Sequence, residues 1–85
     1  MTLRIEPSSD HGRTTIRLIG RMRVDHVAAV QDQIDASGPA VTLDLEDVTL
    51  VDVQAVRFLG ACETSGIELR NGSLYISDWI AKERA

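Results

Sequence analysis

Apolar and polar residues alternate twice near the start of the chain. Leu3 and Ile5 are interleaved with Arg4 and Glu6, and Ile16 and Leu18 with Thr15 and Arg17. A period of two sets one face of a strand against a core and the other in water. Between these runs Pro7, Ser8, Ser9, Asp10 and Gly12 all favour a reversal, which predicts an antiparallel hairpin whose second strand ends at Gly20. From Val24 the period lengthens: Val24, Val27, Val30 and Ile34 recur at helical spacing, with Asp25, Asp32, Gln33 and Asp35 elsewhere on the wheel. This is an amphipathic helix. Asp25 suits its first turn, where a carboxylate meets unpaired amides, and Ser37-Gly38-Pro39 stops it.

Ala40 to Leu45 reads as the next strand, Val41, Leu43 and Leu45 on one face and Thr42 and Asp44 on the other, and Val48, Leu50 and Val51 extend the apolar character toward Asp52. A second helix is predicted from about Val53 to Glu63, with Asp52 as its N-cap and Ala55, Val56, Leu59 and Cys62 as buried positions, stopping before Gly66. Ile67 to Leu69 is a short strand. In the last segment Asn71-Gly72 allows a hairpin, whereas Ile76, Trp79, Ile80 and Glu83 fall at helical spacing with Ser73 as a possible cap. The helix is the favoured reading, with Trp79 anchoring it to the sheet. The order ββαβαβα predicts an α/β domain: a mixed sheet of about four strands with helices packed on it.

Composition narrows the function more than the fold. With 85 residues there is room for one domain near the lower size limit for a self-sufficient core. The 44% hydrophobic and 26% charged fractions are those of an ordinary soluble globule. No apolar run is long enough to cross a bilayer, and the first residues lack the features of a secretory signal, so a cytoplasmic location without membrane insertion is expected. A net charge of -4 opposes nucleic acid as a partner. The one cysteine, Cys62, can form neither an internal disulfide nor a zinc site by itself.

Catalytic chemistry finds little to stand on. Asp44, Glu46, Asp47 and Asp52 invite a metal reading, but no looped calcium-binding pattern accompanies them, and solvated carboxylates are the simpler account. His11 and His26 have no nucleophile or second ligand at a working spacing and read as surface residues, and Cys62 reads as a small buried hydrophobe. The glycines build no phosphate loop. No enzyme activity, metal or cofactor is expected.

The hairpin ending in Leu18-Ile19-Gly20, the helix near Asp25 to Ile34, the strand VTLDL, the phrase LEDVTLVD and the helix opening at Asp52 together resemble the STAS domain, the fold of anti-sigma factor antagonists and of the cytoplasmic tails of sulfate transporters. The resemblance runs from about Leu3 to Ile80. Members of that family read D-S-S-G or D-S-T-G where this chain has Asp52-Val53-Gln54-Ala55, so only the aspartate of the diagnostic tetrapeptide survives. The resemblance implies a non-enzymatic interaction module docking through Asp52, Val53, Gln54, Ala55, Arg57 and Phe58 on a protein partner such as an anti-sigma factor or kinase-like regulator. The family's phosphoacceptor falls on Gln54, whose amide cannot take a phosphoryl group. Thr49, Thr64 and Ser65 are substitute hydroxyls of little weight. Ala55 stands where a glycine lets a partner backbone approach. The resemblance further implies one STAS-like domain over residues 1–85 without the usual C-terminal strand and helix. The short strand would then be an exposed edge open to homodimerisation. The alternative function is an accessory subunit of a transporter or larger signalling assembly.

Overall fold

A computed structural model describes residues 3–84; Met1, Thr2 and Ala85, the ends of the expected single domain, lie outside the described residues. The elements follow in the order β1 (Leu3–Asp10), β2 (Arg13–Met22), a 3-10 turn (Val24–His26), α1 (Val27–Ala36), β3 (Val41–Val51), α2 (Val53–Thr64), β4 (Glu68–Arg70) and α3 (Leu74–Arg84). The four strands form one sheet in the order β1-β2-β3-β4, with β1 antiparallel to β2 and the other pairs parallel. This is the expected α/β arrangement, ββαβαβα, with helices joining the parallel strands.

The hairpin differs from the sequence expectation in an instructive way. Its turn is His11 and Gly12 alone, both with positive φ (50° and 77°), the geometry whose twist matches two flanking strands. Pro7, Ser8, Ser9 and Asp10 belong to β1 and pair with Ile16, Thr15, Thr14 and Arg13. Pro7 is tolerated because β1 is an edge strand, where a missing amide need not break a ladder. Gly20, expected to end β2, instead bends it: it has φ 106° beside a register shift, and β2 continues to Met22.

Register separates the two faces of the sheet. Thr14 and Ile16 on β2 pair with Val41 and Leu43 on β3, and Leu43 with Leu69 on β4; with Leu18, Leu45 and Met22 these side chains form the inner face, almost all buried. The outer face is a lattice of charge and hydroxyl. Arg17 Nε donates to Asp47 Oδ2 at 2.9 Å, and Arg13 Nη1 donates to Thr42 Oγ1 at 2.8 Å. Thr42 is thereby fully covered although it faces away from the helices.

The helices close the other side. α1 buries Val30 and Ile34 only; Val27 is half-buried, and Val24, expected on the same stripe, is 55% exposed on the 3-10 turn. α2 buries Ala55, Val56, Leu59, Gly60 and Cys62. It ends on Gly66, φ 101°, with Gly66 N–H donating to Glu63 O and Ile67 N–H to Cys62 O, the paired bonds of a glycine-terminated helix. α3 confirms the helical reading of the last segment: Ser73 Oγ accepts from Ile76 N–H at 3.2 Å, and Ile76 and Ile80 are buried. Trp79 is half-buried at the margin of the core, its ring 5.8 Å from that of Tyr75.

α3 crosses α2 at Gly60 and is tied to it by Arg57–Glu83 (2.9 Å) and Arg84–Glu63 (2.6 Å). A methyl added at Gly60 would meet Arg84 Cγ and Cδ at 3.4 Å and Ile80 Cγ2 at 3.6 Å, ordinary contact rather than collision. Gly60→Ala is therefore expected to stabilise the fold by about 0.5–1 kcal/mol through helix propensity. Urea unfolding checks this, and a destabilised variant would show that α3 packs closer than described.

Candidate functional site

Asp52 sits where β3 hands the chain to α2. Its backbone is extended (φ -104°, ψ 176°), and its carboxylate is used on both oxygens: Oδ1 accepts from Ala55 N–H and Oδ2 from Val24 N–H, each at 2.9 Å. One side chain thus caps α2 and holds the 3-10 turn beside it. The Ala55 amide is the main cause holding the Asp52 carboxyl below the usual range; burial opposes it, and the Val24 amide and the charge of Arg23 add to the lowering.

A depressed folded value means the ionised form stabilises the fold above the ordinary value of 3.8, and that contribution is lost as pH falls through the folded value. Asp52→Ala is expected to cost about 1–2 kcal/mol at neutral pH, as for loss of a helix cap. The gap between variant and parent in urea melts should shrink below the ordinary carboxylate value. A gap unchanged by acid would show that the charge of Asp52 contributes nothing.

Clamped this way, the 3-10 turn and the first turns of α1 face the first turns of α2 across a groove of about 580 Å³, lined by Val24, Val27, Ala28, Gln31, Gln54, Arg57 and Phe58. Gln54 is exposed, Phe58 is half-buried and Arg57 is held by Glu83. Of the residues expected to dock, Gln54, Arg57 and Phe58 line this groove, Asp52 shapes it from below, and Val53 is half-buried outside its lining. Ala55 requires a correction: it is fully buried, because the third position after the cap turns into the sheet, so its methyl offers nothing to a partner.

Sequence reasoning missed the opposite wall. Val24 and Val27 read as the start of a buried stripe and Ala28 and Gln31 carried no signal, and only the tertiary placement of the turn leaves all four facing a gap. The available signal was the onset of that stripe one residue before Asp25, ahead of any position a regular helix could bury.

The remaining candidates are committed elsewhere. Asp44 Oδ1 accepts from Glu46 N–H at 3.0 Å and Asn71 Nδ2 at 3.2 Å, and Asp47 pairs with Arg17. Thr64 Oγ1 donates to Gly60 O and Ser65 Oγ to Ala61 O, at 3.0 and 2.8 Å; Thr49 is exposed on β3. Cys62 is buried, which pushes its thiol up to about 11, so it is a packed apolar group and a poor nucleophile at neutral pH. His11 lies in the hairpin turn, 3.3 Å from Asp10. His26 is not the plain surface residue expected: it is half-buried and accepts at Nδ1 from Arg23 N–H at 3.1 Å.

The sheet order and the capped junction define an α/β domain with the STAS fold. The chain is similar to several solved structures, two of which follow. SpoIIAA, an anti-sigma factor antagonist in its unphosphorylated form, aligns over 99% of both chains at 12% identity and a TM-score of 0.55. Mglu aligns at 19% identity and a TM-score of 0.67 over 81% of this chain, which spans only 20% of Mglu. No family model and no curated protein matches at the sequence level. Among the described residues no helix is long and apolar enough to cross a membrane.

Proposed function

We propose that the chain is a non-enzymatic protein-docking module of the anti-sigma factor antagonist type, acting in the bacterial cytoplasm in transcription regulation. Its partner, an anti-sigma factor or kinase-like regulator, seats in the groove between the 3-10 turn and α2. The observation that carries this reading is the apolar groove itself. Val24 is 55% exposed and Phe58 half-buried across an open gap, at the start of α2 in a fold shared with the anti-sigma factor antagonist SpoIIAA. Exposed apolar surface of this kind is stabilised by being covered.

Gln54 on the rim has no hydroxyl, so docking is not switched by phosphorylation there. Incubation with a captured kinase-like partner and ATP is expected to leave the intact mass unchanged, while Gln54→Ser gains one phosphoryl group. A phosphorylated parent chain would contradict the proposal.

A second reading, an accessory subunit of a transporter or larger signalling assembly, draws on a separate apolar patch. Leu74 is 89% and Tyr75 54% exposed on α3, away from the groove lining. A membrane protein co-purifying through α3 would favour it. β4 also leaves its outer edge free at the end of the sheet, and a second copy pairing there would give a mass in light scattering that rises with concentration. A constant monomer mass excludes that contact.

A further inference from the structure

The apolar groove has one acidic bank. On α1, Asp32 follows Ala28 and Asp35 follows Gln31 by one helical turn, so both stand on the side of the helix that lines the groove, at its solvent rim. Asp25 stands beside Val24 on the 3-10 turn. All three are exposed, and among the described residues none of them joins an ion pair. Neither the turn nor α1 contains a lysine or arginine. The nearby basic groups are already balanced: Arg57 Nε donates to Glu83 Oε1 at 2.9 Å, and the charge of Arg23 acts on Asp52. Past Phe58 the α2 wall continues to Ala61 and Ser65 without charge.

These carboxylates do nothing for their own helix. Asp35 lies in the last turn of α1, where the negative end of the helix dipole disfavours a carboxylate, and no cation there offsets it. Its one hydrogen bond is to Gln31 Nε2 at 2.9 Å. The shape of the groove restricts what can lie in it. Both walls are helical and their backbone groups are largely spent on bonds within each helix, so there is no strand edge to pair with an extended segment, whose own amides would be buried without partners. A helix arrives with its amides satisfied and presents an apolar stripe. The wall from Val24 to Gln31 is matched by about two turns of such a stripe.

We propose that the occupant of the groove is an amphipathic helix of the partner, whose apolar stripe covers Val24, Val27 and Phe58 and whose Lys or Arg residues beside the stripe meet Asp32 and Asp35. This rests on the docking function proposed above and adds the chemistry of the partner. The apolar stripe supplies the area, and the acidic bank supplies the choice: a helix with the same stripe but carboxylates on its flank is repelled.

The test uses the isotope-labelled full chain and three synthetic peptides of about 18 residues, long enough to hold a helix in water. One has leucines at i, i+3, i+4 and i+7 flanked by lysines, one has the same stripe flanked by glutamates, and one is a scrambled lysine peptide with no stripe. The lysine-flanked helix is expected to shift Val24, Val27, Gln31 and Phe58, and to bind about tenfold or more tightly than its glutamate twin, the scale of two exposed charge pairs. Its affinity should fall as salt rises from about 0.05 M to about 0.3 M. The double variant Asp32→Asn with Asp35→Asn should fold at least as stably as the parent and bring the two striped peptides within about threefold of each other. Equal binding of those two peptides to the parent chain overturns the inference, as does equal binding of the scrambled peptide, a preference unchanged in the double variant, or no shift at the groove with any of them. Each of these leaves the docking function standing, because the footprint of a captured partner tests that separately.

Discussion

Leu43→Ala is expected to lower the unfolding free energy by about 2–5 kcal/mol, the range for a buried leucine cut to a methyl. Leu43 is fully buried on β3, flanked in register by Ile16 on β2 and Leu69 on β4. The total stability of an 85-residue chain is roughly 4–13 kcal/mol, so the variant should lose a large share of it and melt at a clearly lower urea concentration. Urea melts followed by the fluorescence of Trp79, the only tryptophan, measure it. Arg17→Ala, on the outer face of the same sheet, should leave the midpoint nearly unchanged, because exposed ion pairs contribute little. Similar losses for both would mean that the two faces of the sheet are not distinguished as described.

The second large effect is expected in docking rather than folding. Val24→Asp places a carboxylate on a groove wall that is already 55% exposed, so the fold should tolerate it. A partner covering that wall would have to bury an unpaired charge, and affinity should fall by at least about thirtyfold, the scale of a binding hot spot. Leu74→Asp, at a position 89% exposed on α3, is the matched control and should bind like the parent. Equal losses would favour an interface reaching α3, and no loss in Val24→Asp would remove the groove from the interface.

Local chemistry was legible in the sequence wherever it alone decides the structure. Asp52 caps α2, Gly66 ends it, and Ser73 caps α3, because each depends on residues within one turn. The inner-face pattern of Ile16, Leu18, Leu43 and Leu45 was equally readable, since one buried face fixes strand period. What failed depends on distant partners. Pro7 to Asp10 carry turn residues, yet lie in β1 because β2 offers them a ladder. Gly20 reads as a stop, but the parallel pairing with β3 absorbs it as a bend. Helical spacing placed Val24 and Val27 in the core, whereas the clamp from Asp52 holds the turn at the edge of α2. Half of the candidate site was therefore invisible: the α2 wall follows from the motif position, and the facing wall follows from one long-range hydrogen bond.

The most direct test of the docking groove is a chemical-shift footprint of a captured anti-sigma or kinase-like partner on the labelled chain. The account predicts perturbations concentrated at Val24, Val27, Gln31, Gln54 and Phe58, with Arg17 and Thr42 on the open sheet face unaffected. A footprint on that sheet face, with the groove residues unmoved, would contradict it.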